Sequence, residues 1–246
     1  MTCAMIFAAG RGERMRPLTD HCPKPLLEAG GKPLIVWQIE ALARAGLRRI
    51  VINHAWLGER FEAALGDGSR FGVTLHYSAE QVGLETAGGV AHARALLEAD
   101  GSTVLVAVSG DVYSDYDYRA LAPRIAALEA AARQGAPAAM HLVMVPNPPF
   151  HPDGDFALEG DRLTLTGGAR LTFGNIGVYD LRLFDGIADG ERLPMTPLYR
   201  AAIDAGRASG ERYSGRWENV GTPAQLAELD RALRAARPSS PDRPDA

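Results

Sequence analysis

Cys3-Ala4-Met5-Ile6-Phe7 runs into Ala8-Ala9-Gly10-Arg11-Gly12-Glu13-Arg14-Met15-Arg16-Pro17-Leu18-Thr19, and Pro23-Lys24-Pro25-Leu26 follows. The apolar run of five reads as a buried strand. The glycine-bearing loop therefore leaves its carboxyl end, where open α/β sheets hold ligands. Gly10 and Gly12 let the backbone approach a bound group and leave amides free to face phosphate oxygens. Arg11, Arg14, Arg16 and Lys24 add positive charge beside them. The segment reads as a cradle for a polyphosphate.

Two common phosphate motifs are excluded on single residues. Gly-Lys-Ser/Thr is absent, so this is not a P-loop. Met15 stands where the dinucleotide fingerprint needs its third glycine. A dinucleotide oxidoreductase is disfavoured for the same reason.

Outward from the loop, apolar runs and helical patterns alternate. Strands are expected at Cys3–Phe7, Arg49–Asn53, Val73–Tyr77, Thr103–Val108 and Ala139–Val145. Helices are expected from about Pro33 to a stop at Gly46, and over Leu57–Leu65, Ala87–Ala99 and Tyr118–Gln134. This alternation predicts an α/β fold, a Rossmann-like, mostly parallel sheet with helices on both faces. From Pro146 the texture changes to a smaller mixed part. It holds a hairpin around Glu159-Gly160-Asp161, a longer strand Leu171–Tyr179, a helix opened by Thr196-Pro197, a strand with Tyr213 and Trp217, and a last helix opened by Thr222-Pro223.

The chain has 246 residues and a net charge of -4, which argues against a general nucleic-acid binder. Its only lysines are Lys24 and Lys32. Two cysteines, Cys3 and Cys22, do not make a disulfide framework. The apolar start is too short for a signal peptide, and no run reaches membrane-spanning length. A cytoplasmic protein with no membrane or nucleic-acid partner is expected, as a monomer or small homo-oligomer.

The whole string from Ala8 to Leu26 resembles the signature of the sugar-nucleotidyltransferases. These enzymes make NDP-sugars from a nucleoside triphosphate and a sugar 1-phosphate. The resemblance runs to about residue 235, so one domain is expected over 1–236, divided by the change of texture into a nucleotide half to 145 and a sugar half from 146, while the Pro-, Ser- and Asp-rich end, 237–246, is expected to be a disordered tail. It implies Arg14 at the departing pyrophosphate, Lys24 at the α-phosphate, and Ala8, Gly10, Gly12 and Glu13 along the nucleotide. Prolines on both sides of Lys24 restrict its backbone, which suits a lysine that must point one way.

Ser109-Gly110-Asp111-Val112 follows the apolar strand ending at Val108. Alone, Asp111 reads equally as an Asx turn. The resemblance makes it a Mg²⁺ ligand and lays Ser109 against the nucleotide. Trp217-Glu218-Asn219-Val220-Gly221-Thr222 resembles the second metal segment, with Asn219 where Asp is usual. Neighbouring strand residues point to opposite faces, so Asn219 rather than Glu218 is the expected ligand. Glu85 and Gly88, in Leu84-Glu85-Thr86-Ala87-Gly88-Gly89, correspond to the segment that closes over base and ribose. Asp155 and Asn175 lie where relatives contact the sugar. The family's late Glu-Lys-Pro segment is missing, and Arg170 is a candidate replacement.

Val51-Ile52-Asn53-His54-Ala55-Trp56-Leu57-Gly58 and Leu65–Gly72 resemble one branch, the uridylyltransferases that charge N-acetylmuramate 1-phosphate in cell-wall recycling. Expected partners are thus UTP and a sugar 1-phosphate. His54 is expected to organise its loop rather than act as a base, since a phosphate oxygen at neutral pH needs no proton removed. Trp56 is expected to pack rather than stack on a base. Guanylyltransferases acting on mannose 1-phosphate, thymidylyltransferase-like enzymes and a non-catalytic nucleotide-sensing homologue are the competing readings.

Overall fold

The computed structural model describes residues 2–236. The expected disorder of 237–246 lies outside them. Thirteen strands and seven α-helices alternate as β1 (Thr2–Phe7), β2 (Glu28–Ala29), β3 (Lys32–Pro33), α1 (Leu34–Arg44), β4 (Arg49–His54), α2 (Glu59–Leu65), β5 (Thr74–Ala79), α3 (Glu85–His92), α4 (Arg94–Leu97), β6 (Val104–Ser109), β7 (Val112–Ser114), α5 (Ala122–Arg133), β8 (Met140–Val145), β9 (Phe156–Glu159), β10 (Arg162–Thr164), β11 (Arg170–Asp180), α6 (Thr196–Asp204), β12 (Ala208–Arg212), β13 (Trp217–Asn219) and α7 (Pro223–Ala235).

Nine strands form one sheet in the order β5-β4-β1-β6-β11-β8-β12-β10-β9. The first four are mutually parallel, as the alternation predicts. The parallel run then ends. β11 enters antiparallel between β6 and β8, so β8 does not neighbour β6 as a simple parallel continuation would require. Sequence periodicity marks a strand but not its neighbour, and eleven-residue β11 is long enough to pair with β6, β8 and β9.

Side-chain alternation builds two cores. Ala4 and Ile6 of β1, with Val104, Val106 and Val108 of β6, pack under Ile35, Ile39 and Leu42 of α1 and Phe61 of α2. Cys3, Met5, Leu105 and Ala107 face the other way, towards Val90 of α3, Leu97 of α4 and Tyr199 and Ala202 of α6. Period-two strands feed both faces of a covered sheet. Each fully buried Ile or Leu contributes about 1.5–3 kcal/mol.

Several helix boundaries differ from the sequence expectation for local reasons. The pattern over Ala87–Ala99 starts earlier, at Glu85, and breaks at Ala93 into α3 and α4. The pattern from Tyr118 opens as a 3-10 turn over Tyr118–Leu121, where the Ala122 amide donates to the Arg119 carbonyl and Pro123, in the first turn of α5, has no N–H to make the α-helical bond to it. α7 opens as expected, with the Thr222 hydroxyl accepting from the Gln225 amide and Pro223 in the first turn.

Candidate active site

Phe7, Asn53 and Ser109, at the carboxyl ends of β1, β4 and β6, stand side by side in register. All three line a cleft of about 1010 Å³. The loop after β1 forms its floor. The Ala8 amide donates to Asn53 Oδ1 at 3.0 Å, and Asn53 Nδ2 donates to Glu80 Oε1 at 2.7 Å. The Leu84 amide donates to the other Glu80 oxygen at 2.8 Å. This buried chain ties the glycine-rich loop to the entry of α3.

Gly12 turns with φ +64°, and a Cβ there would meet Thr19 Cγ2 at 3.0 Å and Lys24 Cβ at 3.1 Å. The Gly12 carbonyl accepts from the Met15 amide and the Thr19 hydroxyl. Met15, where a third glycine was excluded, is fully buried with Leu34, Val220 and Leu229. It anchors the loop from below.

Lys24 sits in a 3-10 turn between its two prolines and is buried. Its Nζ donates to Asp111 Oδ2 at 2.5 Å. Asp111 lies in the turn joining β6 and β7. Its carbonyl accepts from the Val220 amide, and the Gly110 amide donates to the Phe7 carbonyl. Gln38 of α1 steadies the next residue, donating to the Val112 carbonyl at 2.6 Å while accepting from the Tyr118 hydroxyl.

β7 and β13 form a two-stranded ribbon in which Asn219 faces Val112, the residue after Asp111. Asn219 Oδ1 is buried and has no hydrogen-bond partner. Glu218 instead accepts from Arg216. A buried, unsatisfied oxygen acceptor and, one residue before its strand partner, a carboxylate are oxygen donors of the kind that suits a hard divalent cation. By donor chemistry Asp111 and Asn219 are thus compatible with a divalent cation such as Mg²⁺.

Asn219 lines a second cleft of about 690 Å³, and Arg14 and Gly221 line both clefts. Among the described residues the Arg14 guanidinium has no hydrogen-bond or ion-pair partner. The two cavities share a wall carrying a free cation.

The remaining expected residues divide. Ala8, Gly10, Glu13 and Ser109 line the larger cleft. So does Glu85, held at φ +63° and paired with Arg192 at 2.7 Å. Gly88 lines neither cleft. A Cβ on it would stand 2.2 Å from the Glu191 carbonyl oxygen, so it is a close-approach glycine under the 191–193 segment. Asp155 and Asn175 line the smaller cleft, Asn175 at φ +55° in the irregularity where β11 shifts register against β8. Asp155 Oδ2 accepts from the Phe173 amide, and its carbonyl accepts from Arg170.

His54 is buried and stacked on Phe61, its pKa lowered by burial, and it lines neither cleft. Trp56 donates to the Thr19 carbonyl and lies 5.1 Å from the Arg11 guanidinium carbon, at the edge of the larger cleft. Sequence reasoning missed Asn53, Arg192, Arg200 and Gln225 as cleft residues. For Arg200 a signal existed: it follows Thr196 by one helical turn.

Comparison with known proteins completes the picture. The family model described as "Nucleotidyl transferase" matches residues 3–146. The chain is 48% identical to the N-acetylmuramate alpha-1-phosphate uridylyltransferase of Neisseria meningitidis serogroup B, over 92% of this chain and 95% of that protein. It is 35% identical to the mannose-1-phosphate guanylyltransferase of Mycobacterium tuberculosis, but over 46% of this chain and 31% of that one. A solved structure described as a putative glucose-1-phosphate thymidylyltransferase from Bacillus anthracis, in complex with a sucrose, shares the fold with a TM-score of 0.80 at 18% identity, covering 98% of each chain.

Proposed function

The chain belongs to the nucleotidyl transferase family, and from that premise we propose that it transfers a uridylyl group from UTP to N-acetyl-α-muramate 1-phosphate. The products are UDP-N-acetylmuramate and pyrophosphate. The observation that carries this reading is the pair of clefts meeting at Arg14, with Asp111, in the turn before β7, lining one and Asn219, paired across to Val112, lining the other. Two anionic substrates must be brought together there. The match to a uridylyltransferase covers 92% of the chain at 48% identity, whereas the match to a guanylyltransferase covers 46% of it at 35%.

In this reading the larger cleft, lined by residues 7–111 together with Arg192 and Gly221, takes UTP. The smaller, lined by residues from 150 to 225 together with Arg14, takes the sugar phosphate. An acceptor phosphate oxygen attacks the α-phosphorus, and the bond to the bridging oxygen of the pyrophosphate breaks. Such a transfer depends on positioning and charge neutralisation. Lys24 holds the α-phosphate, and Arg14 receives the departing pyrophosphate. Amides of Gly12 and Glu13 line the triphosphate, with Ala8, Gly10 and Ser109 beside them. Glu85 stands over the base and ribose. Asp155 acts by fixing the Phe173 backbone, and Asn175 faces the sugar. Arg170 substitutes for the family's missing lysine. Asp111 and Asn219 would hold Mg²⁺, which supplies charge neutralisation on the phosphates when bound.

Among the described residues no helix is long and apolar enough to cross a membrane. A UTP-dependent step belongs in the cytoplasm, and the two unpaired cysteines suit a reducing compartment.

Pyrophosphate release measured over a panel of triphosphates and sugar 1-phosphates tests the proposal. UTP with N-acetyl-α-muramate 1-phosphate should give the highest kcat/KM. A preference for GTP with mannose 1-phosphate would overturn the substrate assignment and keep the chemistry.

A further inference from the structure

The smaller cleft carries more positive charge than a sugar 1-phosphate needs. Arg14, Arg170 and Arg200 line it, against the single carboxylate of Asp155. That carboxylate is already engaged by the Phe173 amide and by His151. Arg14 stands on the wall shared with the nucleotide cleft and in the reading above is taken by the departing pyrophosphate, which leaves the acceptor's phosphate to Arg170. Arg170 donates to the Asp155 carbonyl at 2.6 Å. Arg200 has neither role. It lines only the acceptor cleft, and among the described residues it has no hydrogen-bond or ion-pair partner.

Its placement is fixed from below. Tyr199, Ala202 and Ile203 of α6 are buried against the sheet, and the Tyr199 ring packs on Phe156 and Phe173. Thr196 and Arg200, four residues apart, share a face of that helix and both line the cleft. The cleft thus presents a hydroxyl and a forked guanidinium together. A planar, always-charged fork matches a carboxylate in two-point contact.

We infer that Arg200 reads a carboxylate on the acceptor sugar, borne on the lactyl ether rather than on the ring, and so selects acidic acceptors over neutral ones. The inference rests on the uridylyltransferase reading above, and its test separates the two. Wild-type enzyme, Arg200→Met and Arg200→Lys are assayed with UTP and three acceptors: N-acetyl-α-muramate 1-phosphate, N-acetyl-α-glucosamine 1-phosphate, which lacks the lactyl ether, and α-glucuronate 1-phosphate, whose acid is on the ring. Thermal melting checks that the variants fold.

Arg200→Met should raise KM for the muramate acceptor by about 10- to 100-fold, with a much smaller change in kcat. The preference for muramate over glucosamine acceptor should fall by a similar factor. Arg200→Lys should recover part of it, keeping charge without the fork. Equal losses on both of these acceptors, no loss at all, or a loss confined to glucuronate would each overturn the inference. Wild-type enzyme that uses none of the three would overturn the function reading itself, and this inference with it.

Discussion

Replacing Lys24 with methionine should move two measurements in opposite directions. The Lys24 ammonium is buried and donates to Asp111 Oδ2 at 2.5 Å, while the Asp111 side chain is 31% exposed. Without substrates, lysine and cation compete for one carboxylate. Methionine keeps much of the volume, removes the charge and frees Asp111. A charge-assisted hydrogen bond contributes about 1.5–3 kcal/mol, and exposed pairs contribute under about 1. For this half-shielded pair, about 1–2 kcal/mol is appropriate, so Mn²⁺ should bind the substrate-free variant about 5- to 30-fold more tightly. Turnover should fall about 10²- to 10³-fold, because the preorganised charge at the α-phosphate is gone. Mn²⁺ binding is read by electron paramagnetic resonance, turnover by pyrophosphate release, and folding by thermal melting. Unchanged or weaker Mn²⁺ binding in a folded variant would refute the competition and remove Asp111 from the metal site.

Asn219→Asp should lower the melting temperature without metal, since it buries a carboxylate where Oδ1 has no partner, and Mg²⁺ should restore it. Gly88→Ala should cost about 2–3 kcal/mol in chemical denaturation, because its Cβ meets the Glu191 carbonyl at 2.2 Å. Asn53→Ala strips partners from the Ala8 amide and the buried Glu80 carboxylate, and should destabilise by about 2–4 kcal/mol while raising KM for the triphosphate. The hydrogen bond from His92 to Asp189 raises the His92 pKa above its ordinary 6.5. Its stabilisation is therefore fully present below about pH 6.5 and lost as pH rises through the raised value. His92→Gln should flatten the stability–pH slope there in denaturant titrations.

Much of the first 145 residues was legible because the signals there are local. The apolar run before Ala8, the glycines that follow and the aspartate after Val108 each sit within a few residues of the element they define. Positions 2–7, 49–54, 74–79, 104–109 and 140–145 became strands close to where their patterning put them. What stayed hidden was long-range. Nothing in residues 170–180 states that they pair with both 104–108 and 140–145. The partner that makes Gly88 a glycine lies about a hundred residues away, at Glu191. Asn53 and Glu80 meet only because β4 and β5 are neighbours in register. Arg200 was one arginine among many until the fold set it on the smaller cleft.

The wall shared through Arg14 and Gly221 has a consequence for the end of the catalytic cycle. In the proposed reading a nucleotide-sugar is a single molecule whose halves span both clefts. Once one half is bound, the other is delivered at the high effective concentration that a short covalent link provides. The product should therefore hold the enzyme more tightly than either substrate, compete with both, and leave slowly. An architecture that unites two substrates so closely makes product departure the step at which flux is governed.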